Sequence, residues 1–129
     1  MKRMDWSGYA LSLLRIVAAA LFVCHGLQKL FGVPVAAGPL PHTGSLLWIA
    51  GVLETLGGVC ILLGLFTRPI AFVLCGEMAV AYFHVHAPRA FWPIKNGGEL
   101  AVLFCLLFLY LCFAGAGALS LDRSMRRKR

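Results

Sequence analysis

The sequence predicts an all-α integral membrane protein, a bundle of four transmembrane helices with N and C termini cytoplasmic. Three observations predict it. Of 129 residues, 60% are hydrophobic and 13% charged, with a mean hydropathy of +0.85, far from the composition of soluble globular domains. Four runs, at about residues 9–31, 46–66, 69–84 and 98–119, approach or exceed the roughly 20 apolar residues that cross a hydrocarbon core of about 30 Å. The basic residues sit at the ends of these runs. With both termini inside, the cytoplasmic side holds Lys2, Arg3, Arg68, Arg123, Arg126, Arg127, Lys128 and Arg129, against Lys29, Arg89 and Lys95 outside, which satisfies the positive-inside rule. One domain, residues 1–129, is expected.

The net charge of +7 therefore reads as orientation, and no nucleic acid is expected as a partner. The lipid bilayer is the expected partner, and the basic C-terminal cluster suits anionic headgroups.

The first run follows Lys2 and Arg3, as a signal peptide would. Arg15 interrupts it, it continues to Phe31, and no small-x-small cleavage site follows, so an uncleaved span is expected. Residues 32–45 contain three prolines and three glycines and no Lys, Arg, Asp or Glu, a composition that breaks helices without being strongly hydrophilic. This connection is expected over the outer mouth of the bundle.

The second and third runs are separated by little more than Thr67-Arg68-Pro69, with proline suited to a first helical turn; so short a turn makes the two helices antiparallel neighbours. Residues 86–97 combine two prolines with Arg89, Lys95, Phe91 and Trp92, as expected of a segment in the membrane interface. Trp6, Tyr9 and Trp48 mark other boundaries. The five cysteines, Cys24, Cys60, Cys75, Cys105 and Cys112, fall inside spans without a C-x-x-C pair; small apolar packing is their expected role, and no disulfide is predicted.

The informative residues are the charges inside the apolar runs. An ionisable side chain in a span costs about 2.5 to 3.5 kcal/mol on insertion scales, yet Arg15, His25, Glu54 and Glu77 lie within spans and Glu99 heads the fourth. At about 1.5 Å per residue, His25 lies about 9 Å, Glu54 about 12 Å and Glu77 about 10 to 13 Å below the outer surface. Arg15, Ala18, Ala19, Phe22, His25, Gly26 and Lys29 share a face of the first helix, and Gly51, Glu54, Gly58 and Ile61 one of the second. Small residues beside a charge suggest helix packing, so the carboxylates are expected to point inward.

Two readings stand. In one, Glu54 and Glu77 pair with Arg15, His25 or backbone groups and fix the packing. In the other, they build an outer-facing polar pocket that binds a small ligand or relays protons, closed by residues 86–97. No ligand pair has the H-E-x-x-H spacing, so no metal is expected, and interfacial solvation accounts for His84 and His86.

Taken in order, Arg15, Cys24-His25-Gly26-x-x-Lys29-Leu30, Glu54-x-x-Gly57-Gly58, Gly64-x-x-Thr67-Arg68, Asn96-Gly97-Gly98-Glu99 and Ser120-Leu121-Asp122 form a pattern. It resembles the DoxX family of small bacterial four-helix membrane proteins, from about Ser12 to Asp122. The resemblance implies a multi-pass protein of the bacterial inner membrane. The family takes its name from a thiosulfate-to-quinone oxidoreductase subunit, and other members are linked to thiol and oxidative-stress systems, so a quinone is the one cofactor it suggests. The family-like set is Arg15, His25, Lys29, Glu54, Gly57, Gly58, Asn96, Gly97, Gly98 and Glu99; Glu77 joins it through the depth argument alone. The resulting ligand or proton-relay candidates are Arg15, His25, Lys29, Glu54, Glu77, Asn96 and Glu99, and no catalytic residue follows.

The sequence shows no haem-ligand pair, flavin or dinucleotide fingerprint, or thiol pair. As an oxidoreductase subunit it would need a redox-protein partner. The competing expectations are a membrane subunit of a thiol- or quinone-linked redox complex, a non-catalytic scaffold or ligand-binding bundle, and a proton-coupled transporter, which four short helices would supply more readily as a homo-oligomer.

Overall fold

A computed structural model describes residues 5–128, and among them all regular structure is helical. In chain order the helices are α1 (Trp6–Phe31), α2 (Leu46–Leu63), α3 (Thr67–Ala81), α4 (Pro93–Asn96), α5 (Glu99–Ala114) and α6 (Leu121–Arg127), with a π-helical turn, Tyr82–His86, continuing α3. Three helices, Trp6–Phe31, Leu46–Leu63 and Thr67–His86, are long and apolar enough to cross a membrane, and Glu99–Ala114 is a shorter apolar helix.

The core is largely apolar, with Phe22, Ile61, Leu74, Phe108 and Leu111 buried, yet the distribution of the other side chains departs from that of a water-soluble protein. Arg15, Glu54, Asn96, Ser12 and Thr67 are buried, whereas Leu13, Leu56, Phe72, Leu103 and Phe113 are exposed. Water would penalise both halves of that pattern and hydrocarbon rewards the second. Trp6 and Trp92 are exposed near helix ends, where amphipathic rings meet headgroups, and Phe91 is exposed beside Trp92.

The helix ends follow from capping chemistry. The Asp5 carboxylate accepts from Gly8 N–H at 3.0 Å and starts α1, and Ser45 Oγ accepts from Trp48 N–H at 3.2 Å and starts α2. Both serve donors that the first helical turn leaves unpaired. Gly64, at φ 66°, ends α2 three residues before the apolar run gives out at Phe66, because left-handed backbone closes a helix whatever the side chains say. Thr67, Arg68 and Pro69, expected to form the turn, instead open α3. The fourth apolar run also outlasts its helix: α5 stops at Ala114, and Gly115 and Gly117 adopt φ of 82° and 83°.

The chain forms two compact units. One comprises the described residues through Thr67 together with those from Ala116 onward; the other is Arg68–Gly115.

In the first unit α1 packs on α2 through Ser12, Arg15, Ala19, Phe22 and Gly26 on one side and Gly51, Glu54, Gly58 and Ile61 on the other. The four residues of the small-and-charged stripe on α2 are the ones that helix buries. Gly26 sets the spacing: a Cβ there would stand 2.6 Å from the Thr55 amide nitrogen and 2.9 Å from the Gly51 carbonyl oxygen. Because both neighbours are backbone, Gly26→Ala is expected to part the helices and to destabilise the protein by about 1 to 3 kcal/mol, read as a lower unfolding midpoint in detergent.

The C-terminal return locks onto the same pair. Ala118 N–H donates to Gly8 O at 3.0 Å and Leu119 N–H to Ser12 Oγ at 2.9 Å. The Asp122 carboxylate accepts from the Phe66 and Thr67 amides at 2.8 and 3.0 Å, while Asp122 N–H donates to Gly64 O at 2.9 Å. Gly64 is required twice, since a Cβ would also meet Ser120 Cβ at 2.5 Å and Arg15 Cζ at 3.2 Å.

In the second unit the segment between the π-helical turn and α5 is organised by Asn96, 2% exposed. Its Nδ2 donates to Ala90 O at 3.0 Å and Tyr82 Oη at 3.3 Å, and its Oδ1 accepts from Gly98 N–H at 2.8 Å. Gly97 takes φ 71° to end α4, and a Cβ on Gly98 would press on the Tyr82 ring at 2.8 Å. His86 Nδ1 lies 3.1 Å from Asn96 O.

Candidate functional site

The sequence places polar side chains on apolar helices, and the structure sorts them by what they touch. Arg15 donates four hydrogen bonds to backbone carbonyls. Its Nε donates to Ala116 O at 2.8 Å, one terminal nitrogen to Leu62 O at 2.6 Å and to Ile61 O, and the other to Leu119 O at 2.5 Å. Two of these acceptors belong to the last turn of α2, the negative end of the helix dipole, where Ile61 O also accepts from the Gly64 amide at 3.0 Å. Arg15 is thus a cap for α2 and a clasp for the C-terminal return. It lies ten residues from His25 on α1, about 15 Å along the axis.

A second arrangement has a different character. Lys29 Nζ and Glu54 Oε1 form an ion pair between α1 and α2, with the Glu54 side chain 2% and the Lys29 side chain 27% exposed. Lys29 occupies the face of α1 that also carries His25 one turn earlier, and His25 is half-buried near Glu54. Glu54 Oε2 is buried and makes no hydrogen bond among the described residues. A buried carboxylate oxygen without a donor is expensive. Of the two carboxylate oxygens, Oε1 is held by the Lys29 ammonium and Oε2 is buried beside it without a hydrogen bond among the described residues.

Pairing of Glu54 with Arg15 was one expectation from the sequence; the structure gives Glu54 to Lys29 instead. The small residues around Glu54 explain the choice. Gly51, one turn above, has Leu30 and Lys29 against its face, with Lys29 Cβ 3.1 Å from where a Cβ would be, and this opening lets the lysine stem reach down to Glu54.

The remaining candidates, Glu77, Asn96 and Glu99, belong to the second unit. Glu77 is half-buried at mid-helix in α3, with carboxylate oxygens shielded from solvent. Asn96 makes the contacts within its own loop described above, and Glu99 is exposed in the first turn of α5. Asn96→Ala would strand the Gly98 amide and the Ala90 carbonyl; a loss of about 1 to 3 kcal/mol in local stability, seen as faster amide exchange across residues 86–98, is the expected result.

The cysteines add a feature that spacing did not reveal. Cys75 on α3 and Cys105 on α5 bring their Sγ atoms to 3.7 Å, although thirty residues separate them. No local motif marks such a pair. Among the described residues, no group of three His, Cys, Asp or Glu side chains is placed to hold a metal ion.

Buried ionisable groups between helices whose outer surface is apolar define a helical membrane protein. The chain belongs to the DoxX family, whose model, described as DoxX, matches residues 10–87. That stretch carries Arg15, His25, Lys29, Glu54 and Glu77 and stops before Asn96 and Glu99. An uncharacterized protein of Haemophilus influenzae is 47% identical over 125 residues, covering 93% of each chain. An uncharacterized membrane protein of Mycobacterium tuberculosis is 25% identical, over 89% of this chain and 80% of its own. A Bacillus subtilis protein named "Putative oxidoreductase CatD" is 27% identical, over 85% of this chain and 82% of its own. No solved structure matches the chain significantly.

Proposed function

We propose that this chain is a four-span inner-membrane subunit of a quinone-linked redox system, with both termini cytoplasmic and α5 as the fourth span, and that the Lys29–Glu54 pair binds the quinone headgroup. The observation that carries the reading is the unserved Oε2 of Glu54 beside a lysine with spare donors. A quinone presents carbonyl oxygens that accept hydrogen bonds when oxidised and hydroxyls that donate them when reduced.

Lys29 suits the oxidised form, because its ammonium donates and its partial exposure leaves a route to the site. Glu54 suits the reduced form, because Oε2 accepts. Reduction of a quinone consumes two protons; Glu54 and His25 are the neighbouring groups that can hold a proton near the site, and Glu77 is a further carrier in the second unit. The name of the Bacillus subtilis relative agrees with redox work. Electrons would come from a partner protein.

The rival reading is a scaffold without chemistry, favoured by the donors that Arg15 and Asn96 give to backbone atoms. Purification in mild detergent followed by solvent extraction separates the two. The redox reading expects about one quinone per chain or a co-purifying redox protein; a clean chain that binds no added quinone favours the scaffold.

A further inference from the structure

We propose that Cys75 and Cys105 are a redox-active dithiol inside the membrane, which cycles to a disulfide and hands its electrons to a quinone. The choice of a quinone as oxidant rests on the redox reading above; the pair itself stands on its own geometry.

The Sγ atoms are 3.7 Å apart, and Cys105 Sγ also lies 3.5 Å from the Cys75 carbonyl oxygen. The Cys105 proton therefore has the carbonyl as one acceptor and the Cys75 sulfur as the other. The two sulfurs are at contact distance, and bond formation to about 2.05 Å asks for side-chain movement of under 2 Å.

Position selects the oxidant. Cys75 lies eight residues into the Thr67–His86 helix, about 12 Å along it, and Cys105 six residues into α5, about 9 Å. At that depth glutathione and thioredoxin-type proteins have no access, whereas an apolar quinone partitions there. Both thiols are half-buried and so are reachable from the surrounding phase. Cys24, by contrast, is exposed on its helix, and Cys60 and Cys112, half-buried, have no sulfur partner among the hydrogen bonds of the described residues.

The step balances. Two S–H bonds break and one S–S bond forms between Cys75 and Cys105; two electrons and two protons pass to the two carbonyl oxygens of the quinone, which leaves as quinol. The disulfide would join α3 to α5, and a membrane-soluble thiol or the dithiol of a partner embedded in the same membrane would reset it, giving up two electrons and two protons.

The test uses the full chain in lipid nanodiscs, reduced, freed of reductant and treated with decylubiquinone, whose fully substituted ring resists thiol addition. Intact-mass analysis after alkylation counts free thiols, peptide mapping locates any bridge, and absorbance follows quinol. The expected result is a fall from five alkylatable cysteines to three, a Cys75–Cys105 bridge and one quinol per bridge. Cys75→Ser and Cys105→Ser each abolish both signals, while a triple Cys24→Ser, Cys60→Ser, Cys112→Ser variant keeps them.

Five alkylatable thiols after quinone treatment, or a bridge elsewhere, would overturn the dithiol. If quinone is nonetheless retained by the protein, the Lys29–Glu54 reading survives that failure. A bridge formed with added quinone in a protein that purifies without any supports the dithiol independently of that site.

Discussion

Replacing Arg15 with methionine is expected to lower stability by about 3 to 5 kcal/mol, the largest effect of any single substitution in the first unit. The side chain is 1% exposed and serves four carbonyls, of Ile61, Leu62, Ala116 and Leu119. Methionine matches its length and restores none of those bonds, so the end of α2 and the C-terminal return each lose their donor together. Arg15→Lys should recover only part, because one ammonium cannot reproduce a planar fork that reaches three directions. Denaturant titration in detergent, followed by circular dichroism, measures the loss. A methionine variant as stable as the wild type would show that the clasp contributes nothing.

Lys29→Met is expected to cost about 3 kcal/mol, since it strands Glu54 at 2% exposure with neither oxygen paired. The informative companion is Lys29→Met with Glu54→Leu. Removing both charges takes away the desolvation penalty together with the attraction, and an apolar pair of similar volume is often as stable as the ions it replaces. Most of the lost stability should therefore return in the double variant, while quinone retention stays lost. Recovery of stability without recovery of binding is what a functional ion pair predicts; a double variant as unstable as the single one would mark the pair as a structural necessity.

The apolar runs told the helices well because lipid imposes a length and composition that local sequence must meet. Their ends were less legible. The run through Leu119 reads as one span, yet Gly115 and Gly117 take left-handed backbone and the chain turns toward the Arg15 guanidinium; hydropathy averages over residues that dihedral angles separate. The role of Arg15 was hidden because its partners are carbonyls, which every residue possesses.

Motifs that look like site signatures divide in three. Arg15, Gly64, Thr67, Ser120 and Asp122 converge on one clasp, and Asn96, Gly97 and Gly98 on one loop. Among the described residues of the first unit, Lys29 and Glu54 form the ion pair, with His25 one turn from Lys29 on the same face of α1. Lys29 was visible on the correct face of α1, but its reach to Glu54 depends on the gap at Gly51, which spacing within one helix does not report. The approach of Cys75 to Cys105 left no trace in sequence for the same reason: it is made by two helices, not by one.

The central claim is that Glu54 holds a ligand as well as a neighbour. Native mass spectrometry of wild type and Glu54→Gln in the same detergent, with extracted quinone and unfolding midpoint measured on each, tests it most directly. The amide keeps the size of the carboxyl group and can still accept from Lys29 but replaces one acceptor oxygen with a donor, so quinone occupancy should fall at least about tenfold while the midpoint changes little. Equal occupancy in both proteins, or a collapse of the midpoint with no quinone in either, would contradict it.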